Sequence, residues 1–370
     1  MDDASGMPPQ VATRRDGYVD LLRALSLLVV VVWHWVFSVI LWRVDGPHAS
    51  NPIGTTHGLW ALTWVLQVMP IFFWVGGFVH LTTWESTERA GGTYGEFLRR
   101  RLGRLLGPTA VCLAAVLLLR LLTAVLIPDV EWVARGLVLM VSPLWFLGVY
   151  VVMVLLAPLA VRAHRAGGEV VLVLLAGAAI LVDVLRFRYH LEHIELANLV
   201  IVWGLAHQFG FFYDRLVAAP RRAAWCLFLG GFFMLMGLTN IGLYPRSMVG
   251  VPGEAISNMG PPTLCIAALA VLQVGLALLV RPAALRWMEG DGPRRLVAWA
   301  GANAMTVFLW HLTGYAVAYG LLRLAGWHAP QSTTPGWWLQ RPLWAIAPAL
   351  ATAPLVMFFR RFDGRGTRSA

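Results

Sequence analysis

The stretch of sequence that decides the fold runs from Tyr18 to Trp42 and reads YVDLLRALSLLVVVVWHWVFSVILW. It is long enough for a helix that crosses a bilayer, which takes about 20 mostly apolar residues. Arg23 and His34 interrupt this segment eleven residues apart. Because an α-helix turns about 100° per residue, both side chains are predicted to lie on one face, roughly 16 Å apart along the axis. Ionisable groups at such depth are costly and mark a candidate functional site.

The composition of the whole chain is typical of a polytopic membrane protein. Of its 370 residues, 58% are hydrophobic and 13% are charged, and the mean hydropathy is +0.68. A soluble domain carries about 25% charged residues. We predict an all-α membrane domain over 18–359, with tails at 1–17 and 360–370. Its apolar runs predict about ten spans, at 18–42, 58–83, 105–127, 137–161, 170–185, 196–213, 225–244, 262–280, 296–322 and 342–359.

The basic residues are distributed unevenly between alternate connections. The chain has no lysine and 29 arginines, and most of these lie in the two tails and in the second, fourth, sixth and eighth connections. The positive-inside rule assigns that side to the cytoplasm, so ten spans with both termini cytoplasmic satisfy it. This distribution explains the net charge of +10, which in a soluble protein would suggest nucleic-acid binding. We therefore expect surrounding membrane lipid and no nucleic-acid partner.

The predicted topology gives the first helix a direction. Arg23 should lie toward the cytoplasmic face and His34 deep in the membrane. Asp20 is three residues before Arg23, so the two side chains can pair on the helix surface. A purely structural interpretation is also open, in which Arg23 reaches the interface and His34 bonds a neighbouring helix.

A second cluster of charge lies in the connection before the third span, where residues 97–104 read FLRRRLGR. Arg101 and Arg104 are about one helical turn apart and should point the same way. Guanidinium groups bind phosphate through paired hydrogen bonds, so the segment suits a cytoplasmic cofactor with several phosphates. The alternative is a topological signal with affinity for anionic lipid.

Several short motifs occur in a fixed order. Arg23-x10-His34 is followed by FFWVGGF at 72–78, Arg101-x-x-Arg104, WFL at 145–147 and FLWH at 308–311. This ordered set resembles the bacterial integral-membrane acyltransferase family, often called acyltransferase family three. The chain is similar to its short form, which lacks a fused extracellular hydrolase-like domain. Gly76 departs from the family, which commonly has Ser there.

The resemblance implies acyl transfer across the bacterial cytoplasmic membrane. The donor would be cytoplasmic acyl-CoA, most often acetyl-CoA, and the acceptor a hydroxyl of a surface polysaccharide, glycolipid or glycoside. The candidates for catalysis are His34, Arg23 and Asp20. The candidates for donor binding are Arg101, Arg104, Arg100, Gly77 and Trp145.

The chemistry of these residue types is compatible with that reaction. A histidine titrates near neutral pH, so His34 can act as the general base that takes the acceptor's proton. Transfer through an acyl-imidazole is the competing route. The connections 43–57, 245–261 and 323–341 should shape the acceptor site, with Glu254, Asn258 and His311 as substrate-binding candidates. His80, His207 and His311 have no short ligand spacing, so we expect no metal.

Two other classes of protein fit part of the pattern. A transporter of a lipid-linked glycan or a small anionic substrate would also have several spans, Pro and Gly interruptions and buried Arg and His residues. No internal repeat of the kind seen in many transporters is detectable. A membrane scaffold would not need the Arg23–His34 pair. Binding of acyl-CoA distinguishes a catalyst or acyl carrier from an ordinary exporter.

Overall fold

The computed structural model describes residues 16–126, 131–241 and 243–362, so positions 1–15 and 363–370 of the predicted tails lie outside the described residues. Two strands, β1 (Val39–Arg43) and β2 (Gly46–Ser50), form one hairpin. The helices are α1 (Gly17–Val36), α2 (Thr63–Leu66), α3 (Met69–Arg89), α4 (Tyr94–Leu126), α5 (Glu131–Val141), α6 (Leu144–Gly167), α7 (Glu169–Tyr189), α8 (Asn198–Gly210), α9 (Tyr213–Ala218), α10 (Arg221–Asn240), α11 (Leu264–Trp287), α12 (Asp291–Leu324), α13 (Pro335–Leu339) and α14 (Arg341–Phe359).

The prediction of an all-α polytopic membrane protein is confirmed. Within the described residues, nine segments are long and apolar enough to cross a membrane. The sixth predicted span, 196–213, is the exception, because α8 has only 13 residues. Its side chains Asn198, His207 and Gln208 are buried, and α3, α6 and α7 pack around it. Most of this segment is therefore packed against protein, with Val200 left exposed.

The first span was predicted to run over 18–42, and its predicted end at Trp42 is wrong. Helix α1 stops at Val36, where side chains satisfy its last carbonyl groups. The Ser38 hydroxyl donates to the carbonyl oxygen of His34 at 2.5 Å, and Nη1 of Arg341 donates to that of Val36 at 3.0 Å. The chain then turns back as the β1–β2 hairpin, in which Trp42 pairs with Pro47.

The second predicted span is interrupted between α2 and α3. Pro70 lies in the first turn of α3, where its missing N–H is not needed. The amide nitrogen of Gln273 donates to the carbonyl oxygens of Gln67 at 2.8 Å and Trp64 at 3.2 Å. A side chain from α11 thus satisfies the backbone that the interruption leaves unpaired.

Helices α3 and α8 approach each other closely at the centre of the bundle. A Cβ on Gly77 would overlap the carbonyl oxygen of His207, and one on Gly210 would overlap that of Trp74. Small residues at such positions let two membrane helices touch through their backbones. The contact holds Nδ1 of His80 2.9 Å from Nε2 of His207.

Candidate active site

His34 lies in the last turn of α1 and lines a cavity of about 900 Å³. Its ring is half-buried, and its Nδ1 lies 2.9 Å from Nε2 of His311 on α12. The two rings are stacked, with centroids 5.1 Å apart. Packing of α1 against α12 therefore places two histidines, far apart in sequence, in direct contact.

The hydrogen bonds of this pair fix which nitrogen carries each proton. Nδ1 of His311 lies 2.6 Å from the carbonyl oxygen of Phe308, and a carbonyl oxygen can only accept, so this nitrogen carries hydrogen. In a neutral His311 the other nitrogen, Nε2, is then an acceptor, and Nδ1 of His34 must donate to it. Nε2 of His34 is left with a free lone pair, which is the state a general base requires.

Neighbouring side chains hold the pair in place. The indole nitrogen of Trp35 donates to the carbonyl oxygen of His311 at 2.9 Å. The buried guanidinium of Arg341 reaches the end of α1 at Val36 and lies 3.7 Å from the ring centroid of Trp337. The last turn of α1 is thus tied to α12 and α14, which limits rotation of His34.

The cavity beside His34 has apolar and aromatic walls. The β1–β2 hairpin and α5 form one side of it. Outside the spans, the hairpin carboxylate Asp45 accepts from His48 at 2.8 Å and pairs with Arg135 of α5 at 2.5 Å. These two contacts, the His48 hydrogen bond above all, lower the pKa of Asp45 below its usual value. Aromatic residues of the wall include Trp33, Phe72, Trp145, Phe146 and Phe308.

Three predicted site residues occupy places other than those expected. Trp145 lines the cavity with His34 instead of joining the arginines. Asn258 is buried and holds its own loop together, since its amide nitrogen donates to the carbonyl oxygens of Pro245 at 2.6 Å and Ser247 at 2.9 Å. Glu254 is exposed in the same loop. Neither Glu254 nor Asn258 lines the cavity, so their substrate-binding roles stay predictions.

The predicted basic cluster forms at the opposite end of α1. We call this the arginine-rich end, made by the start of α1, the second half of α3 and the start of α4. Nη2 of Arg101 donates to the carbonyl oxygen of Val79 at 2.7 Å and to the hydroxyl of Thr83. Arg23 and Arg104 both lie within electrostatic range of Arg101. The structure therefore brings together three arginines from two different helices.

The arginine cluster has unused capacity to bind an anion. Nε of Arg101 is buried and has no hydrogen-bond partner among the described residues, and the same is true of Nε2 of His80 beside it. Within residues 16–126, 131–241 and 243–362, no carboxylate forms a salt bridge with Arg101 or Arg104. Buried polar groups usually find partners, so these nitrogens have hydrogen-bonding capacity left for a ligand.

Other members of the predicted donor set contribute differently. Arg100 is exposed on α4, and Asp20 lies half-buried one turn before Arg23. Gly77 is corrected from donor binding to helix packing, because the backbone of α8 at His207 fills the space beside it. The space beside Gly77 is therefore taken up by α8.

A chain of aromatic rings separates the arginine-rich end from the cavity. The ring of Tyr150 lies 5.2 Å from that of His80 and 5.4 Å from that of Phe72, and Phe72 lies 5.1 Å from Phe146. Phe72 and Phe146 line the cavity, whereas Tyr150 interacts electrostatically with Arg101. Tyr150 is thus the link between the two regions, and no sequence motif identified it.

His311 was predicted to bind substrate, but its bonds make it the partner of His34. The FLWH motif identified the residue, and only the packing of α12 on α1 gives it this role. No group of three or more His, Cys, Asp or Glu residues in the described part of the chain could hold a metal ion.

The fold and site define a multi-pass helical membrane protein with a histidine pair at a cavity and an arginine cluster some 16 Å away along one helix, by the rise of about 1.5 Å per residue. The chain belongs to acyltransferase family three, described as an acyltransferase domain, which matches residues 16–360. No curated protein and no solved structure matches it. The protein is a membrane acyltransferase, and the family favours acyl transfer over the transporter alternative.

Proposed function

We propose that the protein is a transmembrane O-acyltransferase of the bacterial cytoplasmic membrane. It moves an acyl group, acetyl in the simplest case, from cytoplasmic acyl-CoA to a hydroxyl of an extracytoplasmic glycan or glycolipid. The observation that carries this proposal is the pair of His34 and His311, which leaves Nε2 of His34 unprotonated at the cavity.

The proposed step is attack of the acceptor hydroxyl oxygen on the thioester carbonyl carbon. Nε2 of His34 takes the hydroxyl proton as the new C–O bond forms. The C–S bond then breaks, and the sulfur leaves with the proton that His34 received, so the products are an ester and free CoA. His311 accepts the Nδ1–H bond of His34 throughout and stabilises the imidazolium that forms, as the third group of a catalytic triad does.

The arginine-rich end is proposed to bind the phosphates of CoA. Arg101 and Arg104 form no salt bridge with a carboxylate among the described residues, and a buried nitrogen of Arg101 and one of His80 have no hydrogen-bond partner there. The distance of roughly 16 Å between Arg23 and His34 suits a donor whose reactive sulfur sits at the end of an extended arm, as in CoA. Tyr150, Phe72 and Phe146 would line the path of that arm.

The test is acyl transfer by the full-length protein in lipid nanodiscs, with labelled acetyl-CoA and an envelope glycan fraction as acceptor. We expect His34→Ala to lower the transfer rate by about 10²- to 10⁴-fold, the range for loss of a general base, while acyl-CoA binding is retained. His57→Ala is the matched control, since His57 is exposed and does not line the cavity. Full transfer by His34→Ala would overturn the assignment.

The acceptor can be identified by mass spectrometry of lipids and glycans from cells with and without the gene. Loss of an acyl mass from one glycan or glycolipid would name both the group and its acceptor. Absence of any acyl difference, together with no binding of acyl-CoA, would refute the proposed reaction.

A further inference from the structure

Arg323 is the only arginine that lines the cavity among the described residues. It lies in the last turn of α12, and its guanidinium carbon is 5.0 Å from the ring centroid of Trp42. A cation over an indole face is a favourable contact. The guanidinium is therefore held at the cavity wall by the β1–β2 hairpin.

The aromatic support under Arg323 is itself fixed. The indole nitrogen of Trp42 donates to the hydroxyl of Tyr319 at 2.7 Å, and the backbone N–H of Trp42 donates to the side-chain oxygen of Gln331 at 3.0 Å. The ring of Trp132 meets Trp42 edge-on at 5.5 Å. Such a fixed arrangement orders the guanidinium before any ligand binds, which favours binding.

The charge of Arg323 has no counterion in the described part of the structure. No Asp or Glu side chain within the described residues lines the cavity, and none forms a salt bridge with Arg323. The nearby hairpin carboxylate, Asp45, is already engaged by His48 and Arg135. Apolar walls focus the field of a single charge, so the cavity attracts anions.

The end of α12 alone does not account for this geometry. A cation in the last turn of a helix is favoured by the helix dipole, and an arginine near a membrane surface can extend to lipid phosphate. Either effect would be satisfied by a side chain directed away from the cavity. Arg323 instead lies against Trp42, which is itself a cavity residue.

We propose that Arg323 and Trp42 form a binding site for an anionic group, a carboxylate or a phosphate, carried by the acyl acceptor itself. Guanidinium binds either oxyanion through paired hydrogen bonds. This inference rests on the proposed function only in identifying the ligand as the acyl acceptor. The binding of an anionic amphiphile to the cavity can be measured without any acyl transfer.

The continuous helix α12 sets the spacing between this site and the reacting hydroxyl. Arg323 is twelve residues after His311, which corresponds to roughly 18 Å along the axis. Side chains on a helix lean toward its N-terminus, so the guanidinium is somewhat closer to the histidine pair. The acceptor should therefore carry its anionic group well away from the hydroxyl that is acylated, in the manner of a glycan with a remote acidic substituent.

The experiment compares two matched probes, octyl β-glucuronide and octyl β-glucoside, which differ in the charge of the sugar. Binding to the full-length protein is measured below their micellar concentrations in phosphatidylcholine nanodiscs. We expect the acidic probe to bind about tenfold more tightly, a difference of roughly 1.4 kcal/mol, and the preference to fall with added salt. The ratio of the two dissociation constants, glucoside to glucuronide, should drop to about 1 in Arg323→Gln.

Three variants control this measurement. Arg323→Lys keeps the charge but loses the paired hydrogen bonds, so it should retain an intermediate preference. Arg246→Gln removes another exposed arginine that lies over a tryptophan, Trp60 at 5.7 Å, but does not line the cavity, and it should keep the full preference. His34→Ala should lose transfer but keep the preference for the acidic probe, because the two probes differ only in the charge that Arg323 binds; this separates a failure of this inference from a failure of the proposed reaction.

Two outcomes would overturn the assignment. The first is equal binding of the two probes, or a preference that Arg323→Gln leaves unchanged. The second is loss of the preference in phosphatidylglycerol nanodiscs, where we expect it to persist. Such a loss would mean that the lipid headgroup competes for Arg323, and would assign Arg323 to the membrane surface instead of the acceptor.

Discussion

Replacement of His311 is the sharpest test of the histidine pair. The bond from Nδ1 of His34 to Nε2 of His311 is 2.9 Å long, and His311 is buried. Leucine at this position would fill much of the space but accept no hydrogen bond. The Nδ1–H group of His34 would then lose its partner, at a cost of about 1–3 kcal/mol, and the tautomer with Nε2 unprotonated would lose its preference.

This cost corresponds to a rate loss of roughly 5- to 150-fold, since about 1.4 kcal/mol changes a rate tenfold. We therefore expect His311→Leu to transfer acyl groups more slowly by that factor and His34→Ala to be slower still. His311→Gln is the matched variant, because its amide oxygen can accept from His34 while its amide nitrogen donates to Phe308. It should recover most of the lost rate.

The assay is the initial rate of label transfer from acetyl-CoA to the envelope acceptor, with acyl-CoA binding measured in parallel. Binding should be similar in all three variants, because His311 contacts His34 in the last turn of α1 and the arginines lie at the other end of that helix. Unchanged transfer by His311→Leu would refute the positioning role. A loss in His311→Gln as large as that in His34→Ala would contradict a role for His311 that is limited to accepting the Nδ1–H bond of His34.

The remaining predictions concern the arginine-rich end and the helix contact beside it. Replacing both Arg101 and Arg104 with Gln should raise the Kd for acyl-CoA by about tenfold or more, since each charged hydrogen bond contributes about 1.5–3 kcal/mol. The control Arg99→Gln, at an exposed position, should leave this Kd unchanged. If the double variant bound acyl-CoA as tightly as the unaltered protein, the cluster would have only a topological role. Gly77→Ala should destabilise the protein by at least 1–3 kcal/mol, the usual cost of overpacking, because the backbone of α8 leaves no room. Gly204→Ala, with open space around its Cβ, should unfold in detergent near the temperature of the unaltered protein, and a similar temperature for Gly77→Ala would contradict the close contact.

The sequence predicted the broad architecture because hydrophobic length and helical period are properties of single segments. The composition and apolar runs fixed the membrane class, and the eleven-residue spacing placed Arg23 and His34 at different depths of one helix. The ordered motifs identified the family that matches residues 16–360. Boundaries were harder to predict: α1 ends at Val36 because Ser38 and a distant arginine, Arg341, satisfy its last carbonyl groups.

The candidate site depended more heavily on tertiary structure. The arginine pair of α4 could be predicted to share a face from its spacing alone, but its approach to Arg23 and the buried His80 depends on how α1, α3 and α4 pack. Gly77 was a candidate for donor binding, but a glycine allows close approach of either a helix or a ligand. The sequence could not tell which of these occupies the space, and α8 does.

By itself, the sequence determined that the chain spans a membrane, that His34 and Arg23 lie on one helix face, and which family the motifs represent. Only the tertiary structure decided that His34 meets His311, 277 residues away, that Nε2 of His34 is the free nitrogen, and that Arg323 lines the same cavity. The reason is physical. Helix formation and membrane insertion follow from the residues of one segment, whereas a tautomer or a counterion depends on atoms that separate helices bring within about 3 Å of each other.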